Sequence, residues 1–296
     1  MVGFLGRYTG CLTGNYVELH DRVVGNIVQH GGTIIGTSRC PEFMESAGPD
    51  EAARQIRAAK VEGLVVIGGD GSFRGAAALE RETGIPTTGV PATIDNDIYG
   101  TDETIGFDTA VNTAVRATSE STGMLFYVEL MGRTSGAIAM HTALAAGAVG
   151  VLVPESTGEL EPLVERLRAS MGRGKRSHII IVAEGDQAGG AFQVAQAVSS
   201  YIDHDHRVVV LGHTQRGGSP TARDRVVAAQ SGARAAQVLI EGRSGVAIGI
   251  PRDGRLLRSR MAKSWPTSTL SQRMMYCIWR RNLLASAARY RTLVWQ

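Results

Sequence analysis

Two short stretches carry the residue types that phosphoryl chemistry needs: Gly68-Gly69-Asp70-Gly71-Ser72 and, beginning 21 residues after Ser72, Thr93-Ile94-Asp95-Asn96-Asp97. Glycines let the backbone approach a ligand and offer amide N–H groups. The segment led by Ser72 predicts the start of a helix, whose N-terminus favours an anion. Together these make a phosphate cradle. Its single carboxylate, Asp70, repels phosphate but can hold a Mg²⁺ that binds one. A tight strand-to-helix turn with an acidic cap is the plainer reading of the same residues. Asp95 and Asp97, two apart and preceded by the Thr93 hydroxyl, suggest one base and one electrostatic partner for phosphoryl transfer, or else a solvated acidic turn.

Three further groups could serve a phosphorylated substrate. Met131-Gly132-Arg133-Thr134-Ser135-Gly136 opens an apolar helix predicted over 137–146, and a helix N-terminus beside an Arg is a second anion site or a capping turn with an exposed Arg. Glu184 ends an apolar run at 179–183 and can accept from sugar hydroxyls. Arg207, His213 and Arg216 flank the strand predicted over 207–211 and its glycine-rich turn, two or three cations able to clamp a phosphate. Arg39, with Cys40 after it, closes a strand predicted over 31–39; an Arg at a strand end reads as a solvated charge. His141 lies within the apolar helix and reads as packed.

The elements that must hold these groups follow from the apolar pattern. Leu64-Val65-Val66-Ile67 predicts a strand buried on both faces, as in a parallel sheet. Tyr8-Thr9-Gly10 reads as a turn. The acid-started, base-ended segment 50–60 predicts a helix, as do 72–82, 109–121, 159–171, 191–202 and 221–241. Apolar runs at 84–90, 124–128, 149–153, 179–183, 207–211 and 246–250 alternate with them. This alternation argues an α/β fold with doubly wound parallel sheets, whose ligands bind beyond the strands' carboxyl ends.

Composition sets the frame. A chain of 296 residues can bury a large core, and 37 glycines with only 5% aromatics suit many strand–helix turns rather than a β-sandwich. Three cysteines, Cys11, Cys40 and Cys277, have no metal-ligand spacing and imply a reducing, cytoplasmic setting. No apolar run approaches the roughly 18 residues of a membrane span, and no signal peptide is read at the N-terminus, so neither membrane nor nucleic acid is an expected partner. The net charge of +3 is unevenly placed: residues 252–296 carry nine Arg and one Lys against Asp253, with all three tryptophans, while 1–251 hold 21 basic and 27 acidic groups. That tail is read as atypical of the fold before it.

The ordered set GGDGS, PATIDND, Met131-Gly132-Arg133, Glu184 and the 211–220 stretch LGHTQRGGSP resembles the phosphofructokinase family, which phosphorylates fructose 6-phosphate at its 1-hydroxyl in glycolysis. A lipid or NAD kinase shares the GGDG turn alone. The resemblance covers about residues 3–251 and implies two similar α/β subdomains, 1–122 for nucleotide and Mg²⁺ and 123–251 for the sugar phosphate, followed by the tail 252–296. It implies Asp95 as base with Arg39 and Arg133 as catalytic cations. Sugar-phosphate binding falls to Thr93, Asp95, Asp97, Met131, Gly132, Arg133, Glu184, Arg207, His213 and Arg216. ATP falls to Tyr8, Arg39, Cys40, Gly69, Asp70, Gly71 and Ser72, with Mg²⁺ on Asp70.

Gly71, and Ala92 immediately before Thr93, stand where the family separates ATP from pyrophosphate users, and neither carries the Asp or Lys of the pyrophosphate enzymes. ATP is therefore the expected donor, with a pyrophosphate enzyme or an impaired binder of the same ligands as alternatives. The resemblance also implies a homo-oligomer, a tetramer in the family, and effector control through Arg22, Arg173 and Lys175, although the acidic effector residue expected near Val149 is absent. Relatives place a strand and a GGDxPG-type loop ahead of the position of Met1, and a longer segment with an Arg near Met124. The chain therefore reads as N-terminally shortened, with impaired transfer.

Overall fold

The computed structural model describes residues 1–45, 47–119, 123–156, 160–175, 177–187, 189–250 and 257–260. In chain order, β1 (Val2–Phe4), α1 (Tyr8–Thr13), β2 (Tyr16–Glu18), α2 (Asp21–Val24) and α3 (Gly48–Ala58) precede β3 (Leu64–Gly68), α4 (Asp70–Thr83) and β4 (Thr87–Pro91). Next come α5 (Phe107–Ser119), β5 (Leu125–Leu130), α6 (Ala137–Ala145), β6 (Gly150–Leu152) and α7 (Leu160–Gly172). The series closes with β7 (His178–Ala183), α8 (Ala191–Ser199), β8 (His206–Val210), α9 (Ala222–Ile240), β9 (Val246–Gly249) and β10 (Leu257–Arg260).

The chain forms two compact units. The first holds Met1–Ile94, Ile98–Thr109 and the chain from Arg216 through β10; the second holds Asp95–Asp97 and Ala110–Gln215. This grouping differs from a sequential division at 122 and 123 because β9 returns to pair in parallel with β4, bringing α9 with it. The four described residues of the tail form β10, antiparallel to β9 from Leu257 opposite Gly249 to Arg260 opposite Val246. The remainder of the tail, with the tryptophans and Cys277, lies outside the described residues.

In the first unit the four-stranded sheet runs β10-β9-β4-β3, with β3, β4 and β9 parallel. β4 is central and buried at every position, from Thr87 to Pro91. β3 ends the sheet, so the expected burial of Leu64–Ile67 on both faces is corrected: Ile67 is 56% exposed, and only Val66 and Gly68 are buried. α3 starts with Pro49, Asp50 and Glu51, suited to a helix N-terminus, and packs Ala52, Ala53 and Ile56 on Phe43 and Leu79. Residues 8–10 are helical rather than a turn, opening α1, which closes on Gly14 in the left-handed region (φ 66°). The expected strand at 31–39 is also corrected. That segment is irregular, pinned by Gly6 N–H to the Ile35 carbonyl (2.8 Å), by the Ser38 hydroxyl donating to the Gly6 carbonyl (2.6 Å), and by Thr9 on Ser38 (2.7 Å).

The second unit is built on a fully parallel sheet in the order β6-β7-β5-β8. β7, rich in isoleucine, is fully buried from Ile180 to Ala183, the pattern of a central strand covered on both faces. Its core gathers Leu125, Tyr127, Leu152, Leu163, Leu167, Val194 and Val198 from the sheet, α7 and α8. Glu129 of β5 accepts the Ala191 N–H at the start of α8 (2.7 Å), and a Cβ on Gly190 would lie 2.4 Å from that carboxylate. Beyond the carboxyl end of this sheet, Glu155, Glu184 and Gln215 each accept a hydrogen bond from the stretch 131–136 after β5, which carries Met131, Gly132 and Arg133.

Candidate active site

In the first unit the glycine loop makes a tight strand-to-helix turn. β3 ends at Gly68, α4 begins at Asp70, and the N–H groups of Ser72 and Phe73 turn onto the Gly69 carbonyl (3.0 and 3.2 Å). A side chain at Gly68 would strike Ser72 Oγ at 2.4 Å, so glycine is required for this close turn. The Gly68 carbonyl accepts from Ala92 N–H (2.9 Å), and the ideal Cβ of Gly69 lies 3.7 Å from Thr93, which joins the cradle to the start of the TIDND stretch. Around Gly71 a Cβ would meet nothing within 4 Å among the described residues, so space is open there.

Tyr8 reaches the same loop but not as a free hydroxyl. Its OH donates to the Ser72 carbonyl (2.6 Å), its ring stacks on Phe43 at 4.0 Å, and burial pushes its pKa well above the usual tyrosine value. Tyr8 therefore braces the cradle from behind. Cys40 packs into the same cluster as Phe43 and Cys11, while Arg39 stands exposed on the irregular segment and forms no ion pair among the described residues. Asp70 is 39% exposed and its Oδ2 receives Arg74 Nε at 2.8 Å, one helical turn away. A lone, partly exposed carboxylate at a helix start suits Mg²⁺ that takes its other ligands from phosphates and water. No cluster of three or more metal-ligating side chains occurs among the described residues.

The second unit holds the densest arrangement. Asp95 is 2% exposed and Arg133 Nε lies 3.4 Å from its Oδ2, with the Arg133 guanidinium largely in solvent. Asn96 between the two aspartates has φ 51° and Arg133 has φ 53°, both in the left-handed region; Asn tolerates it, whereas Arg must be held there. The holding groups are hydrogen-bond acceptors. Glu184 Oε1 takes the N–H groups of Gly132 (3.2 Å) and Arg133 (2.8 Å), so the bonds seen for Glu184 are to this loop. Gln215 Oε1 takes Met131 N–H (2.8 Å), and Glu155 Oε1 takes Gly136 N–H (2.7 Å).

The start of α6, read as a second anion site or a capping turn beside an exposed Arg, has its Gly136 N–H bonded to a buried carboxyl, and burial pushes the Glu155 carboxyl above the usual carboxylate range. Glu155 and Gln215 were not picked out from sequence. The available signal was positional: Glu155 follows β6 as Glu184 follows β7, each an acid one to three residues past the end of a parallel strand.

Arg207 is exposed on β8, and His213 and Arg216 are exposed on the 3₁₀ turn Gly212–Arg216, where residues three apart align on one side. Thr93 is half-buried, its carbonyl accepting from the Thr104 hydroxyl (2.6 Å), and Asp97 is exposed. His141 is half-buried and bonds through Nδ1 with the Ala137 carbonyl (2.8 Å). Arg173 and Lys175, implied as effector residues, line with Arg166, Ala148, Val149, Ala169 and Ser170 a cavity of about 310 Å³; none of its residues belongs to the motif loops.

A profile described as phosphofructokinase matches residues 1–239. The chain is 49% identical over 255 residues to the ATP-dependent 6-phosphofructokinase 1 of Thermus thermophilus, covering 84% of this chain and 79% of that protein. It is 50% identical over 256 residues to the ATP-dependent 6-phosphofructokinase of Lysinibacillus sphaericus, with the same shares. Among solved structures, the phosphofructokinase of Pichia pastoris in the T-state superposes with a TM-score of 0.83 at 28% identity; the match covers 95% of this chain and 33% of that one, so this chain spans a third of that chain's length. With a phosphofructokinase profile matched over residues 1–239 and relatives about half identical over most of both chains, this protein belongs to the phosphofructokinase family.

Proposed function

We propose that this protein transfers the γ-phosphoryl group of ATP to the 1-hydroxyl of fructose 6-phosphate, giving fructose 1,6-bisphosphate. The observation that carries the reading is the buried Asp95 with Arg133 at 3.4 Å, on a loop held by Glu184. Asp95 accepts the proton of the 1-hydroxyl, and Arg133 keeps its carboxylate oriented. Met131, Gly132, Glu184 and Asp97 bind the sugar together with Thr93; Arg133, Arg207, His213 and Arg216 bind its phosphate. Arg39 and the cradle Gly69, Gly71 and Ser72 bind ATP, braced by Tyr8 and flanked by Cys40. Asp70 would hold Mg²⁺, which, when bound, neutralises charge on the phosphoryl oxygens.

The open space around Gly71 favours ATP over pyrophosphate as the donor, since it leaves room for a further phosphate. The reading extends to a cytoplasmic homo-oligomer; none of the described helices is long and apolar enough to cross a membrane. The test is a coupled assay of the full chain with fructose 6-phosphate and either ATP or pyrophosphate. Turnover with ATP is expected, and Asp95→Asn should lower kcat by about 10² to 10⁴ with sugar-phosphate affinity nearly intact. Turnover with pyrophosphate alone would overturn the choice of donor. An Asp95→Asn variant that keeps half the parent's turnover would remove Asp95 from the role of base.

A further inference from the structure

The loop after β5 receives one acceptor from each of the other three strands of its sheet. Glu155 arrives from the end of β6, Glu184 from the end of β7 and Gln215 from the turn after β8, and between them they take the N–H groups of Met131, Gly132, Arg133 and Gly136. Ser135 N–H closes the loop on the Gly132 carbonyl at 2.8 Å. The backbone is fitted to these partners. A Cβ at Gly136 would lie 2.5 Å from Val153 and 2.6 Å from Glu155 Oε2, and one at Gly185 would lie 1.9 Å from the Arg133 carbonyl oxygen.

Glu155 and Gln215 differ from Glu184 in burial: they are 7% and 1% exposed, too enclosed to meet a substrate. Each also leaves one polar atom without a hydrogen-bond partner among the described residues, Oε2 of Glu155 and Nε2 of Gln215. Buried polar atoms are ordinarily satisfied, and an apolar side chain would fill either place without that cost. What an apolar residue could not do is accept the loop's N–H groups and hold Arg133 at φ 53°.

We propose that Glu155 and Gln215 are positioning residues for Arg133, setting the loop that presents its guanidinium to Asp95 and to the sugar phosphate. This rests on the phosphofructokinase reading of the site. Removing either acceptor lets the loop relax, and displacements of about an ångström in a positioned group reduce rates by roughly 10²-fold.

The experiment compares Glu155→Ala, Glu155→Gln, Gln215→Ala and Gln215→Met in the full chain, each alone and combined with Arg133→Ala. Glu155→Ala and Gln215→Ala should lower kcat/KM for fructose 6-phosphate by about tenfold to a hundredfold while KM for ATP changes by no more than about twofold. Glu155→Gln keeps the accepting oxygen and should recover most of the parent's value. In the Arg133→Ala background each truncation should have little further effect. Full additivity with Arg133→Ala, or equal effects on both substrates, would overturn the proposal. If a truncation does not fold, Gln215→Met, which fills the space without the acceptor, decides in its place. If the parent turns over neither substrate pair, the reading of function fails, and the loop is judged by amide hydrogen exchange at 131–136. Faster exchange in Gln215→Met supports the positioning role there, and unchanged exchange overturns it.

Discussion

Asp224 joins the starts of two helices in the first unit, and replacing it should be among the most damaging changes available outside the site. It is 3% exposed in the first turn of α9. Its Oδ1 accepts Gly106 N–H (2.8 Å), and its Oδ2 accepts both Thr109 N–H (2.8 Å) and the Thr109 hydroxyl. The network is reciprocal: Thr221 N–H donates to Thr109 Oγ1 (3.2 Å), while the Thr221 hydroxyl donates to Asp108 (2.6 Å) and accepts Asp224 N–H (3.2 Å). Asp224→Ala strands two backbone donors at about 1–3 kcal/mol each, with the hydroxyl free to turn elsewhere, so the loss should be roughly 3–5 kcal/mol. Asp224→Asn is the sharper test because it keeps size and shape. Whichever way the amide is turned, its NH₂ must face a donor, Gly106 N–H on one side or Thr109 N–H on the other, so about 2–4 kcal/mol should still be lost. Urea unfolding followed by far-UV circular dichroism measures this, and thermal midpoints should fall by about 5–15 °C. An Asn variant within 1 kcal/mol of the parent would refute the reasoning.

Three further outcomes can be checked alongside it. Arg133→Gly should be more stable than Arg133→Ala by about 1 kcal/mol, since glycine accepts φ 53° freely, while both lose fructose 6-phosphate affinity; equal stabilities would mean the backbone there is unstrained. Arg216→Ala should raise KM for fructose 6-phosphate far more than KM for ATP, consistent with a lost phosphate contact of about 1.5–3 kcal/mol, and equal shifts would reject its assignment. Burial raises the Glu155 carboxyl above its unfolded value, so its contribution is whole below the ordinary carboxylate range and is lost as pH rises through the raised folded value. The melting temperature of Glu155→Gln should therefore gain on that of the parent between pH 4 and pH 8, and a gap that does not change with pH would contradict this.

The sequence was most informative where one local rule decided the structure. The acid-started helix at α3, the glycine turn into α4 and the apolar strands β5 and β7 all follow from patterns a few residues long. It was least informative where partners come from afar. Leu64–Ile67 has the composition of an interior strand, yet its place at the sheet's end depends on which strands pair, and that exposes Ile67. Gly31–Arg39 has strand-forming residues but no strand to join, so hydroxyls of α1 and its neighbours fix it instead. The residues Asp70, Asp95, Arg133 and Glu184 were legible because each pairs a place past a strand's end with a motif of its own. Glu155 and Gln215 were not, because their role is visible only once β6 and β8 are set on either side of β7 and β5.

The pairing of acids with glycines at helix starts limits how this sequence can drift. Gly190 faces Glu129 and Gly136 faces Glu155, and in each case any side chain on the glycine would lie within 2.6 Å of the carboxylate. Neither glycine can acquire a side chain while its acid remains. Neither acid can be lost without leaving an amide, Ala191 N–H or Gly136 N–H, without its acceptor. The Gly190–Glu129 pair is thus a point of sign epistasis, where two single substitutions are harmful and only their combination, with a new residue at the glycine filling the space and supplying the acceptor, opens another route; at Gly136 a third change is needed, because Val153 lies 2.5 Å from the same Cβ.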